Sequence, residues 1–352
     1  MVYDYVVIGS GLSGLIIANR LSQETSKVLL LEASDQLGGW LTRTHFSFVP
    51  GTDSALSSVQ NLETLLGLKI HGETIESSPL TFDSGEFKNF LGFGDRAPEF
   101  YDEMSYFCSS TELTLKLQPH EWLQQLQKSF QGQVATRSIV TKFIIENNQV
   151  AAVLVNGTKK IQGKQFIYCG DVKFLERLIP EDFNPSKVRN KISKTKTWTR
   201  ASLVINHGHV VTEKTDLHIL IGTAQDEVVT CVGRFDGQQS NWLTFVSDEE
   251  AEDPEITAHA LKRIKRQIKR AYPDSLPETI TEKIVVQSGF GSHYDIKLNA
   301  NQSWPDLENL WMGASGFNRE RNMIGALKQA FLVLGALGFS IESTPTIQEA
   351  EL

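Results

Sequence analysis

Six residues near the N-terminus, Gly9-Ser10-Gly11-Leu12-Ser13-Gly14, constrain what this chain can fold into more than any others. They follow a short β-rich run, Tyr5 to Ile8, and open a segment, Leu12 to Ser22, whose apolar residues recur with helical period; Val28 to Leu31 is a second apolar run. Strand, glycine turn, helix and strand make a βαβ unit, and such a unit implies a parallel sheet. Each glycine has its own task. The first permits the tight turn, the second lets backbone approach a pyrophosphate, and the third lets the helix pack against the strand, while the helix N-terminus faces the anion. Glu32 ends the second apolar run, 21 residues beyond Gly11, where an acceptor for ribose hydroxyls is required. The dinucleotide-contact candidates in this unit are Gly9, Gly11, Leu12, Ser13, Gly14, Glu32 and the adjoining Ala33.

A chain of 352 residues has room for about two domains at ~100–200 residues each. With 42 acidic and 34 basic side chains its net charge is −8, which argues against nucleic acid as a partner. Cys108, Cys169 and Cys231 are far apart and odd in number, so they form neither a disulfide framework nor a metal or redox pair, and a reducing, cytoplasmic setting is expected. Asp4 and the early glycines are not the pattern of a signal peptide. The most apolar late stretch, Met323 to Phe339, contains Lys328 and Gln329 and is shorter than the ~20 residues that span a bilayer.

Further along, a helix is predicted from Ser54 to Leu66, ended by Gly67, and another from Pro119 to Phe130. Residues 77–96 read as loop or short strands. The runs Ser138 to Ile145, Val150 to Val155, Lys159 to Ile161 and Gln165 to Tyr168 predict an antiparallel meander with a hairpin at Asn156-Gly157. Four strand-like runs (Ala201 to Ile205, Leu217 to Ile221, Val228 to Val232, Trp242 to Val246) then precede one long helix, capped by Asp253, with Pro254 in its first turn and a stop at Pro273. Its apolar stripe is Ile256, Ala260, Leu261, Ile264, Ile268 and Ala271; the opposite face carries Lys262, Arg263, Lys265, Arg266, Lys269 and Arg270. That basic face is either solvated or a contact for an anionic partner or a membrane surface. A strand at Leu310 to Met312, a Gly-rich turn and a helix from about Asn322 to Leu337 close the chain.

Glu32 is followed by Ala33-Ser34-Asp35-Gln36-Leu37-Gly38-Gly39-Trp40, and a Gly-Gly doublet at this distance resembles the FAD-binding signature of the flavin amine oxidase, phytoene desaturase and protoporphyrinogen oxidase superfamily. The closing segment, Leu310-Trp311-Met312-Gly313-Ala314-Ser315-Gly316 and Met323-Ile324-Gly325-Ala326-Leu327, resembles that superfamily's second flavin-binding motif. The resemblance implies FAD contacts at Gly38, Gly39, Trp40, Gly313, Met323, Ile324 and Ala326, and an adenine-holding strand at Val140. The superfamily usually places arginines around the doublet; this chain has Gln36 and Trp40, with Arg43 nearby. In amine oxidases a lysine commonly stands near flavin N5 at the entry to a substrate-domain strand, and the matching place is Thr199-Arg200-Ala201, making Arg200 a catalytic candidate. The flavin is expected to be noncovalent, because residues 313–352 contain no Cys or His; His45 is a distant alternative.

Together these readings imply an α/β fold: a Rossmann-like FAD-binding domain (residues 1–70, 119–190 and 298–352) and a second sheet-plus-helix substrate domain (residues 71–118 and 191–297). Trp198, Trp242, Phe290 and Tyr294 are expected to wall a cavity for a small hydrophobic or ring-bearing substrate, with Phe290 and Tyr294 as further catalytic candidates. The expected activity is hydride removal by FAD, as in amine oxidases. The alternatives are a flavoenzyme without net redox change resembling UDP-galactopyranose mutase, whose His-rich segment reads here as Thr44-His45-Phe46-Ser47, or a noncatalytic flavin-binding module. His207 and His209 alternate without a third ligand, so no metal site is expected.

Overall fold

Strand β1 (Val2–Ile8), helix α1 (Leu12–Glu24) and strand β2 (Val28–Leu31) form the anticipated unit in the computed structural model. The model describes residues 1–42, 47–67, 72–76, 78–94, 97–100, 113–222, 230–290, 293–320 and 323–339. Arg43, His45, Cys108, Val228 and Asn322, named above, lie outside them. Next come β3 (Ser47–Pro50), α2 (Asp53–Leu66), β4 (Gly72–Glu76), β5 (Leu80–Asp83), β6 (Glu86–Asn89), β7 (Leu113–Leu117), α3 (Pro119–Ser129) and β8 (Gln133–Ala135). The meander is β9 (Val140–Glu146), β10 (Gln149–Val155) and β11 (Lys159–Tyr168), followed by α4 (Leu175–Leu178) and α5 (Ser186–Lys194). Then follow β12 (Trp198–His207), β13 (His218–Leu220), β14 (Cys231–Asp236), β15 (Gln239–Ser247), α6 (Pro254–Ala271) and β16 (Thr279–Phe290). β17 (Ser303–Trp304), β18 (Leu307–Met312) and α7 (Met323–Ala336) complete the described elements.

The first sheet runs β17-β18-β11-β1-β2-β8, and β10 and β9 extend it from β11. β18, β11, β1, β2 and β8 are parallel, so their C-terminal ends share one edge. The two short runs expected at 159–161 and 165–168 are one strand. Its first half pairs antiparallel with β10, while Gln162 to Tyr168 runs parallel to Val2 to Ile8. Gly163 makes this double use feasible, since a Cβ there would lie 2.8 Å from a Val6 methyl. The hairpin at Asn156-Gly157 has both residues at positive φ, as the sequence predicted.

Alternation sorts the strands' side chains into two cores. Val7, Leu30 and Ile167 face α1 and α7, packing with Leu15, Ile16, Leu327 and Val333. Val6, Ile8, Leu29, Leu31 and Phe166 face the other way, toward the meander's Phe143 and Val153 and the later Trp304 and Leu310. A small sheet, β3-β7-β4, joins residues on both sides of the domain boundary drawn from sequence, and its Val49, Leu115 and Leu117 belong to the α1 core.

The second large sheet is β16-β12-β15-β14-β13-β5-β6. Residues 78–94 thus include the hairpin β5–β6, with Ser84 and Gly85 at positive φ, and β5 lies parallel to β13. Helix α6 starts as predicted: the Asp253 carboxylate accepts from Glu255 N–H at 2.8 Å. Its stripe needs one correction. Ile256 is 40% exposed and Thr257 takes the inward place, because Thr257 stands three, four and seven residues before the buried Ala260, Leu261 and Ile264 and so shares their face. Of the basic face, Lys265 pairs with Glu282 of β16, while Lys262, Arg266, Lys269 and Arg270 are exposed. Among the described residues no helix is long and apolar enough to cross a membrane.

Candidate cofactor and substrate site

The parallel strands β18, β11, β1 and β2 end at Met312, Tyr168, Ile8 and Leu31, and their following loops converge there, where an open α/β sheet binds its ligand. Gly9 turns at φ +96°, and a Cβ there would meet the Cys169 backbone at 3.0 Å. Gly14 presses α1 against this turn: its Cβ would stand 2.0 Å from Gly9 O. Gly11 differs from both, with φ −61° and nothing within 4 Å of a Cβ. Its bareness serves no packing need of the protein itself. Leu12 and Ser13 are buried at the head of α1.

The doublet folds back onto this turn. Gly38 N–H donates to Ser10 O at 3.0 Å and lies 3.2 Å from Ser10 Oγ, and a Cβ on Gly39 would lie 3.6 Å from Gly11 Cα. Both glycines have positive φ, +111° and +53°. Glu32 closes the arrangement, its carboxylate accepting from Ser10 N–H at 2.9 Å, Ser10 Oγ at 2.5 Å and Ser34 N–H at 2.8 Å. Burial pushes the Glu32 carboxyl upward, but the bonds from Ser10 and Ser34 outweigh it and hold the group below its ordinary value. Ala33 beside it is exposed.

The closing segment sits next to the first turn. Gly313 N–H donates to Tyr168 O at 2.8 Å, and a Cβ on Gly313 would meet Cys169 Sγ at 2.6 Å. Met323, Ile324 and Ala326 are buried in the first turn of α7, and Gly325 admits the Glu320 carbonyl, which a Cβ would strike. Gln329 ties α7 to β18 by donating to Met312 O at 2.6 Å. Burial pushes the Cys169 thiol up to about 12, which fits packing filler between glycines and not a nucleophile.

Val140 lies on β9 with its side chain in the meander core. The strand that runs beside β2 at the Glu32 end is β8, which sequence reading missed: Ala135 O accepts from Glu32 N–H at 2.9 Å, and Leu30 faces Val134 across the pair. The signal available was the short alternation Gln133-Val134-Ala135 directly after Gly132.

Register decides which residues of the second sheet look toward the glycine loops. Leu203 and Gly233 both lie opposite Trp242. This set packs on α6 through Leu261, Ile264 and Ile268. Trp242, expected to wall a cavity, is therefore fully buried behind the sheet, with its ring lying on Gly233. The other face carries Arg200 opposite Phe245 and Ser202 opposite Leu243. Val232, Ile219, Trp198 and Phe93 extend its apolar part. Arg200 is 8% exposed; its guanidinium lies 6.0 Å from the Trp40 ring centroid and donates to Gln287 Oε1 at 3.0 Å. Two sequence candidates, Trp40 and Arg200, thus meet across the two sheets.

Tyr294 does not join them. Its ring is buried in the cofactor-side core against Gly316, and its N–H donates to Gly316 O at 2.9 Å. Phe290 ends β16, opposite Trp198 in register. His207 is buried, with Nδ1 3.0 Å from Ser275 O and Nε2 2.8 Å from Ser240 Oγ, while His209 lies beyond the strand and pairs with Glu278. Among the described residues no group of three or more His, Cys, Asp or Glu is placed to hold a metal.

A mostly parallel sheet with a glycine-rich first turn, its strand ends faced by a second, mixed sheet, is the class of fold that these elements define. The chain shares its fold with oxidoreductases and oxidases of known structure. A family profile described as an NAD(P)-binding Rossmann-like domain matches residues 7–57. Amine oxidase [flavin-containing] A of Equus caballus is 31% identical over 97 residues, which are 26% of this chain and 18% of that protein. An oxidoreductase from Methanosarcina mazei superposes with TM-score 0.65 at 12% identity, covering 94% of this chain and 99% of that one. Putrescine oxidase bound to putrescine gives 0.62 at 13% identity over 96% and 99% of the two chains. NikD, an amino acid oxidase of nikkomycin biosynthesis, gives 0.62 at 13% identity over 96% and 94%.

Proposed function

We propose that this chain is an FAD-dependent oxidoreductase that takes hydride from a small organic substrate held between the Arg200 face of the second sheet and the glycine loops. The observation that carries the reading is the approach of Gly39 to Gly11: two glycine loops bring bare backbone together beside a ribose-type carboxylate, a cradle that a side chain would fill. Gly11 and the α1 N-terminus would face the diphosphate, with the helix dipole supplying positive potential where arginines are usual. Glu32 Oε1 accepts from Ser34 N–H, and a carboxylate with about four lone-pair sites has room for a ribose hydroxyl beside its bonds from Ser10 and Ser34. Ala33 and the Val134–Ala135 backbone border the adenine end, Gly38 and Trp40 continue the doublet, and Gly313 with Met323, Ile324 and Ala326 would put the α7 N-terminus at the pyrimidine side of the ring. FAD held there would supply two-electron chemistry, with oxygen, a quinone or another acceptor as the partner oxidant. The protein's part is to seat the substrate against the ring and to exclude water with Leu243, Phe245 and Phe93.

Purified protein should show a flavin absorption spectrum that bleaches anaerobically with its substrate, and acid precipitation should leave the colour in the supernatant. A colourless protein that neither takes up FAD nor is stabilised by it would overturn the reading. Colour retained in the pellet would show covalent attachment instead.

A further inference from the structure

We infer that the outer edge of β16 is a self-association surface, on which a second copy of this chain adds its own β16 antiparallel about a two-fold axis at Val285. β16 spans Thr279–Phe290 and ends the second sheet, hydrogen-bonded to β12 on one side. Among the described residues nothing bonds the main chain of Ile280 to Ser288 on the other side. The opposite edge of the same sheet is protected: β6 is only Glu86–Asn89, and its Lys88 pairs with Asp83. β16 has no such protection. It is long, holds no proline, and carries on one face the β-branched Ile280, Ile284 and Val286, which are 68%, 54% and 42% exposed. Phe174, also exposed, lines one crevice with Val286 and Ser288 and widens the apolar patch.

The sequence of the strand itself selects a second copy over an unrelated strand. Two antiparallel neighbours related by a two-fold axis perpendicular to the sheet keep each side chain on its own face, so the residue at the axis meets itself and its flanking residues meet each other. An axis at Glu282 or Lys283 sets like charges opposite each other. One at Ile284 lays Glu282 on Val286 and Lys283 on Val285, and one at Val286 lays Ile284 on Ser288 and Val285 on Gln287. At Val285 polar meets polar and apolar meets apolar: Ile284 of one copy lies on Val286 of the other, Lys283 on Gln287 and Glu282 on Ser288. Glu282 is already paired with Lys265 of α6, so its charge brings no uncompensated carboxylate to the contact. The two sheets become one continuous sheet with both α6 helices on the same side, and assembly stops at two because the pairing consumes the edge.

Sedimentation velocity of the full chain over a concentration series should show a monomer in equilibrium with a dimer and nothing larger. Ile284→Lys combined with Val286→Lys sets lysine opposite lysine twice across the axis and should weaken the dimer by about tenfold or more, with circular dichroism and FAD content unchanged. Register is read by cross-linking. Opposed Cβ atoms stand about 4.5–5.5 Å apart, a gap that a disulfide closes with a small strand movement. Ile284→Cys combined with Val286→Cys should therefore give a covalent dimer under mild oxidation, whereas Ile284→Cys alone, facing Val286, should not, with the native chain as control. The cysteine pair carries the decision if the lysine variant does not fold. A chain that stays monomeric throughout, a dimer that the folded lysine variant leaves intact, or Ile284→Cys alone cross-linking as fast as the pair would overturn the inference.

Discussion

Gly11 and Gly14 stand three residues apart and answer to opposite demands. A side chain at Gly14 collides with the protein's own backbone, whereas one at Gly11 meets nothing and its φ of −61° suits any residue. Gly11→Val should therefore leave the FAD-free fold within about ±0.5 kcal/mol of the native protein, as for an unconstrained surface change, yet abolish FAD uptake. Gly14→Ala should instead lower stability with or without FAD, by about 1–3 kcal/mol as overpacking does. Denaturation curves combined with flavin stoichiometry check both. Stoichiometric flavin in Gly11→Val would remove the diphosphate from that place. The glycine pattern was readable in the sequence because each glycine's demand is local; that one of them is spare could be seen only once its neighbours were in place.

At the scale of elements, β15 shows how a strand's two faces acquire different work. Trp242 and Leu243 are adjacent, but Trp242 fills the α6 core and Leu243 looks toward Arg200. Trp242→Ala should cost about 3–5 kcal/mol, the range for large aromatic deletions, and any folded fraction should still take up FAD normally. Urea unfolding beside a flavin titration tests this, and intact stability with impaired ligand binding would return Trp242 to the cavity. Helix α6 was legible to within a residue because its cap, its proline and its period are all in the chain itself. β8 and β16 were not: a three-residue strand carries little pattern, and β16 is an edge strand whose alternation is blurred by exposed Ile280 and Ile284.

Across the whole molecule, the cofactor-side Lys173 reaches the second sheet at Asp248, 3.0 Å away. Asp248 also accepts from Thr197, from Thr199 at 2.7 Å and from Gly289 N–H at 3.3 Å. Burial raises the Asp248 pKa, but the bonds from Thr197, Thr199 and Lys173 prevail and leave it below the ordinary carboxylate value. A depressed folded pKa means stability that is fully present above the unfolded value and is lost as pH falls through the folded one. Asp248→Asn should thus lower the thermal midpoint at pH 7 by an amount equivalent to about 1–2 kcal/mol. The difference should shrink on acidification below the unfolded carboxylate pKa of about 4. Melting curves of the two proteins from pH 7 to pH 3 measure it, and a difference independent of pH would assign the effect to packing.

What the sequence determined by itself is the first-sheet half: the βαβ unit, Glu32, the doublet and the closing glycines, whose spacings translate directly into backbone geometry within one turn. It also determined that a sheet and a long helix follow. The tertiary structure alone decided that Arg200 and Trp40 meet, that Trp242 and Tyr294 are core, and that β3, β4 and β7 bind the two sequence-drawn regions into one small sheet. The physical reason is that a strand's period of two defines two faces without saying which neighbour covers each, and that choice is made by contacts between segments far apart in the chain.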